Sequence, residues 1–339
     1  CSVDMALTVA IIGAGRWGQA HIRTLSSLKR EGLVERLLVC DIDLEKLTDL
    51  GSEVDATYTN WQEMVEHNSV DLVAIVTPPQ SHCQLSIDLM NKGINVLVEK
   101  PLGFSESQAA AVLAASQSTG RSLSVGFLLR FHSGILKAKS MVASGTIGSL
   151  HRIQFIRHST RKAPLQGDVI ESLAVHAIDT VCSVQGEVEP QRLHISRLAI
   201  GQHNNPIQAS MWLEFPSGIE ANISVGWDSE IEQRQLNFIG ENGSIFVDFI
   251  NHDNIILQTE GVQNIIATEF SNPPLEMEWR QLLDISHQQN NGKADLFPTA
   301  GATLRGARWI EQALSEAASR IEQKQDITST AERTSNQTR

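Results

Sequence analysis

One short stretch limits this chain more than any other: Gly13-Ala14-Gly15-Arg16-Trp17-Gly18, set between an apolar run at residues 8–12 and a helical pattern at 20–28. A glycine-x-glycine-x-x-glycine turn in isolation is weak evidence. Between a buried strand and a helix it has a mechanical meaning. Gly13 permits a tight turn, Gly15 lets backbone approach a pyrophosphate, and Gly18 allows the helix to pack closely on the strand. The helix start, where Arg16 and Trp17 fall, offers free N–H groups and partial positive charge to an anion. Asp41, 23 residues beyond Gly18, ends the second apolar run; a carboxylate there accepts hydrogen bonds from ribose hydroxyls and repels a 2′-phosphate. The pattern predicts a dinucleotide site and favours NAD over NADP. The competing account is a glycine turn that binds nothing. Asp43 stands close enough to compete with Asp41, but a helix N-cap explains it.

The rest of the N-terminal half agrees with that turn. Apolar runs at 8–12, 35–40, 71–76, 95–99 and 122–127 alternate with helical patterns such as 81–91 and 105–118. They are rich in Val, Ile and Leu without strict alternation, which suits parallel strands covered on both faces. Beyond about residue 148 the texture changes. Runs at 211–215 and 219–225 flank Pro216-Ser217-Gly218, and runs at 236–239 and 244–247 flank Glu241-Asn242-Gly243, two hairpin signals with no helix between strands. Helical patterns return at 277–289 and 300–318. The expected fold is an α/β Rossmann domain with a doubly wound parallel sheet (residues 5–127). An α+β domain with an open, mostly antiparallel sheet follows (128–321), and then a polar tail expected to fray (322–339).

Charge and cysteine content narrow the function classes. With 39 acidic and 27 basic residues the formal charge is −12, and no basic stripe is present to bind nucleic acid. Cys1, Cys40, Cys83 and Cys182 form no C-x-x-C pair and no cluster with histidines, so neither a disulfide framework nor a metal site is expected and a reducing cytoplasm is the natural setting. No apolar run reaches the roughly 18–20 residues of a membrane span, and the stretch at 6–12 runs straight into the glycine turn, as a strand would and a signal peptide would not.

Two further segments fall at carboxyl ends of predicted parallel strands, where open α/β sheets bind ligands. Thr77-Pro78-Pro79-Gln80-Ser81-His82 follows the run at 71–76, and Glu99-Lys100-Pro101 ends the run at 95–99. Thr77, Pro78, His82 and Glu99 are thereby placed toward the cofactor, although His82 is also explained by packing against its helix start. Lys100 is poised to stabilise an alkoxide; its alternative is a solvated surface lysine.

The glycine turn, Asp41, the Thr-Pro-Pro…His loop and Glu-Lys-Pro together resemble the glucose–fructose oxidoreductase and inositol dehydrogenase family. So do Gly126-Phe127-Leu128-Leu129-Arg130-Phe131 and His176-Ala177-Ile178-Asp179. The resemblance covers about residues 5–320. It implies NAD(P)-linked chemistry on a secondary hydroxyl of a sugar, nucleotide sugar or cyclitol, with Lys100 and His176 catalytic. It also implies a homodimer or homotetramer formed through the C-terminal sheet. The segment 167–176 looks most like members that oxidise the 3-hydroxyl of UDP-N-acetylated sugars. Where the family carries an aspartate four residues before the histidine, this chain has Ser172. On a uniform helix Ser172 lies about 40° from His176, Asp179 about 60° and Glu171 about 140°, so Asp179 is the better support for the imidazole. Without the family context, His176 would read as a packed core residue. Arg130 is either a substrate contact or half of an ion pair. Arg157, His158, Arg161 and Lys162 form a basic patch, either a solvated loop or a site for a carboxylate or diphosphate. The rival reading is a non-catalytic dinucleotide sensor on the same fold.

Overall fold

Strands buried on both faces and joined by helices form the first sheet, as their unbroken apolar composition requires. In chain order they are β1 (Leu7–Ile12), β2 (Val34–Cys40), β3 (Ala56–Tyr58), β4 (Leu72–Ile75), β5 (Asn95–Glu99) and β6 (Leu123–Gly126), joined through α1 (Arg16–Arg30), α2 (Trp61–His67), α3 (His82–Asn91) and α4 (Glu106–Thr119). All pair parallel, in the order β3-β2-β1-β4-β5-β6. The order reverses between β1 and β4, the position where doubly wound sheets open a crevice at the carboxyl edge. The three-residue β3, partly exposed, escapes sequence reading because it has no apolar run. The computed structural model describes residues 7–165, 167–251, 253–269, 272–288 and 296–337, with nothing said of the side chains of 324–337.

A second unit contains α5 (Ser133–Ala143), β7 (Leu150–His158), α6 (Val175–Ser183) and seven further strands. These are β8 (Arg192–Ile200), β9 (Pro206–Glu214), β10 (Glu220–Gly226), β11 (Gln233–Gly240), β12 (Gly243–Asp248), β13 (Asn254–Thr259) and β14 (Val262–Ala267). The sheet order is β14-β13-β12-β11-β7-β10-β9-β8, antiparallel except where β7 meets β10. Burial alternates along β10 and β12, so the sheet has one packed face, with α6 against β7 and β10. The hairpin at Pro216–Gly218 forms as expected, with Gly218 at φ +80°. The second hairpin turns on Glu241-Asn242, and Gly243 is the first residue of β12. Gly243 is needed there for contact rather than for a left-handed turn: a Cβ would sit 2.2 Å from the Gln258 carbonyl oxygen of β13.

The extent of the second domain differs from the expectation. Residues 128–321 are not one body: the first unit comprises Cys1–Ser133 with Phe270–Ala307, and the second Gly134–Glu269 with Arg308–Arg339. The return is made by α7 (Pro274–Gln288), whose Leu275, Trp279, Leu282 and Leu283 join the core of β1, β2 and α1. The strand β15 (Leu296–Phe297) then pairs parallel with β6. The polar stretch from 322 continues the helix α8 (Ala300–Gln337), and Glu322, Gln323 and Lys324 are good helix formers even without an apolar face. The segment 289–295, partly expected as helix, lies outside the described residues.

Candidate active site

The glycine turn joins β1 to α1 at the reversal point. Gly13, at φ +105°, could carry no Cβ, which would fall 2.5 Å from the Val76 carbonyl oxygen just past β4. A Cβ on Gly18 would meet the Gly13 carbonyl oxygen at 1.9 Å, so helix and turn are in direct backbone contact. Gly15 differs: nothing stands within 4 Å of where its Cβ would be. It caps α1 without a side-chain hydrogen bond, and no acidic residue occupies the first turn. An open backbone surface before unsatisfied N–H groups suits a pyrophosphate. Arg16 and Trp17 beside it are exposed. Asp41, at the end of β2, is 7% exposed. Its Oδ2 accepts from the Ala14 N–H at 2.7 Å and its Oδ1 from the Asp43 N–H at 2.9 Å, which ties the turn to β2; Lys46 Nζ stands 3.7 Å from Oδ1, and Oδ2 keeps a lone pair for a ribose hydroxyl. Asp43 accepts from the Glu45 N–H, the N-cap expected of it. These residues fit a nicotinamide dinucleotide.

Thr77 and Pro78 lead out of β4, where the Thr77 hydroxyl pairs with that of Ser81 at 2.7 Å. His82 is 1% exposed, with Nδ1 2.8 Å from the Pro101 carbonyl oxygen and Nε2 2.8 Å from that of Thr77. Burial holds its pKa below the ordinary value, so a neutral ring donates to one carbonyl at a time and straps the β4 loop to the segment after Lys100. Glu99 ends β5 and is 7% exposed. Its Oε1 accepts from the Trp17 indole at 2.7 Å and lies 3.1 Å from His21 Nε2. Burial works to raise this carboxyl, but the hydrogen bonds from His21 and Trp17 and the nearby Lys100 outweigh it and hold Glu99 below the ordinary carboxyl value and ionised. Lys100 follows, half-buried, at the carboxyl edge of the sheet. Arg130 lies in the turn Leu128–Phe131, its guanidinium 5.9 Å from the centre of the Phe127 ring.

In the second unit His176 and Asp179 lie on α6, 7% and 3% exposed. The uniform-helix reading of 172–183 is corrected, because Ile170–Ala174 form a π-helical turn and α6 begins only at Val175. A π turn takes more residues per revolution, so the 40° offset between Ser172 and His176 does not apply. Burial, aided by the charge of Glu171, pushes Asp168 up to about 7, although its carboxylate accepts from the Ile170 N–H at 2.6 Å. The basic patch divides. Arg157 and His158 belong to β7, where His158 engages the Ser224 and Ser229 hydroxyls at 2.7 and 3.1 Å. Burial and the neighbouring Arg234 bring Arg157 down to about 10. Arg161 and Lys162 are exposed, Lys162 pairing with Asp228 at 3.6 Å.

Residues 7–127 match the family model described as "Oxidoreductase family, NAD-binding Rossmann fold", and residues 135–246 match the GFO/IDH/MocA C-terminal domain. The chain belongs to the GFO/IDH/MocA oxidoreductase family. Among its relatives, a scyllo-inositol 2-dehydrogenase (NAD(+)) of Bacillus subtilis (strain 168) is 26% identical over 323 residues, covering 87% of this chain and 90% of that one. The fold is shared with a myo-inositol 2-dehydrogenase from Lactobacillus plantarum (TM-score 0.74, 21% identity, 92% and 97% of the two chains). It is also shared with a UDP-N-acetylglucosamine 3-dehydrogenase from Acidithiobacillus ferrooxidans (TM-score 0.75, 20% identity, 92% and 97%).

In this GFO/IDH/MocA member the sequence reading missed three polar residues buried in the first unit: His21, Glu278 and Trp279. His21 was detectable. It shares the buried stripe of α1 with Gly18, Ile22, Leu25 and Leu28, and a histidine on such a stripe needs partners. Glu278 and Trp279 gave no such signal, because they lie in a helix that nothing local assigns to the first unit.

Proposed function

We propose that this oxidoreductase is an NAD-dependent dehydrogenase acting on a secondary hydroxyl of a polyhydroxylated ring, a cyclitol or a sugar. The observation that carries the reading is the set of residues at the carboxyl edge of the first sheet. A pyrophosphate-ready turn, a buried ribose-facing Asp41 and Lys100 beside an ionised Glu99 all stand at strand ends there. Held at the glycine turn and Asp41, a nicotinamide dinucleotide would supply the hydride acceptor for the carbinol carbon. His176 takes the hydroxyl proton on its ring, Asp179 on the same helix supports the imidazole, and the Lys100 ammonium stabilises the oxygen as it gains charge. The relatives named above are dehydrogenases, and the sensor reading has no support among them.

A second reading, oxidation of the 3-hydroxyl of a UDP-N-acetyl sugar, is favoured by the exposed Arg161, whose guanidinium suits a diphosphate. Measuring nicotinamide absorbance with inositols, aldoses and UDP-sugars separates the two. Turnover of inositols or aldoses but not UDP-sugars supports the first reading, and the reverse supports the second. Tight NADH binding with no turnover of any of them overturns both. The same proposal places the protein in the cytoplasm, where Cys40, Cys83 and Cys182 remain the free thiols they are here, and assembles it as a homodimer or homotetramer through the second sheet.

Cofactor choice is tested at Asp41. Asp41→Ser is expected to weaken NAD about tenfold more than NADP, the worth of one or two hydrogen bonds to a charged group. Because Asp41 also holds the Ala14 N–H, both affinities fall somewhat, and the ratio from fluorescence titration is the informative quantity. An equal loss for the two cofactors would remove Asp41 from ribose recognition.

A further inference from the structure

Trp279, His21, Glu99 and Trp17 form one hydrogen-bonded chain inside the first unit. Trp279 Nε1 lies 3.1 Å from His21 Nδ1, His21 Nε2 lies 3.1 Å from Glu99 Oε1, and Trp17 Nε1 lies 2.7 Å from the same oxygen. Proton positions follow from chemistry alone. An indole N–H only donates, so His21 Nδ1 must be bare and accept. The ring proton therefore sits on Nε2, aimed at Glu99, and the carboxylate oxygen receives two N–H donors. The rings lock this arrangement, Trp17 and Trp279 each standing nearly perpendicular to His21, at 88° and 85°. His21 and Trp279 have no exposed surface. The space that Glu99 occupies is kept by Gly126 of β6, where a Cβ would come within 2.8 Å of Oε1.

We propose that His21 is a positioning residue for Lys100: the chain from Trp279 through His21, closed by Trp17, pins the Glu99 carboxylate at the β5 end from which Lys100 extends. The proposal rests on the functional reading above and adds a device to it, since that reading assigns His21 no role. Trp17 belongs to the glycine turn and Lys100 to the far side of the Glu99 peptide unit, so one carboxylate links the cofactor turn to the reactive ammonium. Among the described residues Glu278, His82 and Lys100 are further titratable groups that interact with the Glu99 charge, and none of them lies in the hydrogen-bonded chain.

The test compares His21→Leu, which deletes both ring nitrogens, with His21→Gln, whose amide N–H can still reach Glu99. Trp279→Phe is a third variant that keeps an aromatic ring and removes the donor to Nδ1. Competitive acetylation with acetic anhydride, read at Lys100 by peptide mass spectrometry, reports how well the ammonium is held without requiring turnover. His21→Leu is expected to acetylate at Lys100 at least about threefold faster than the unaltered protein, the loosening that follows loss of a hydrogen bond to a charged group. His21→Gln should restore most of the protection, and NADH affinity should stay within about twofold. With any substrate that is turned over, kcat should fall about tenfold in His21→Leu with little change in KM. Should His21→Leu not fold, Trp279→Phe is expected to shift acetylation in the same direction. Unchanged Lys100 labelling in folded variants overturns the proposal. Failure to turn over any polyol would defeat the functional reading while the labelling result still decides the role of His21.

Discussion

Lys100→Met is expected to lower kcat by about 10²–10³-fold while NADH affinity stays within about threefold of the unaltered protein. Methionine keeps much of the length of the aliphatic stem and removes the ammonium. Glu99 gives the reason for so large an effect. It is buried and ionised, and the half-buried Lys100 that follows it at the carboxyl edge of the sheet helps to hold it so. A positive charge held beside a developing alkoxide acts only as the oxygen gains charge, and its loss therefore falls on kcat. Steady-state kinetics with a separate NADH titration checks the prediction. A parallel loss of NADH affinity and kcat would make Lys100 an anchor for the cofactor instead, and unchanged turnover would remove it from the chemistry.

Glu278→Met is expected to stabilise the protein by about 2 kcal/mol at pH 8, raising Tm by about 4 °C, with a much smaller gain at pH 5. Glu278 is 1% exposed, and neither carboxyl oxygen has a hydrogen-bond partner among the described residues. Burial, and after it the negative charge of Glu99, holds its carboxyl well above the ordinary 4.5. The folded state therefore keeps the proton that the unfolded chain releases above about 4.5. As pH rises from that value toward the folded-state pKa, the unfolded state gains relative to the folded one and stability falls. Methionine, similar in length and uncharged, removes both the unmet polar atoms and the pH dependence. Thermal unfolding of the two proteins across this range measures the difference. A variant less stable than the parent at pH 8 would mean that the Glu278 carboxyl is satisfied and contributes to stability.

The first sheet could be read from the chain because its signals are local. Glycines of the turn, apolar runs without alternation, and Asp41 at a strand end each derive from residues a few positions apart, and β1, β2, β4, β5 and β6 all fall on expected runs. Strands β3, β7, β8, β13, β14 and β15 were not legible, since short or half-exposed strands take their stability from partners distant in sequence.

What sequence alone determined was the glycine turn with its acidic partner, the parallel-then-antiparallel order of the two sheets, and Lys100 at a strand end. Tertiary structure alone decided that α7 and β15 return to the first unit, that Ile170–Ala174 form a π turn, and that Glu99 is shared by Trp17 and His21. The division has a physical cause. Turn geometry and hydrophobic period are written over a few residues, whereas a buried proton is placed by groups such as His21 and Trp279, 258 positions apart, that meet only when the core closes.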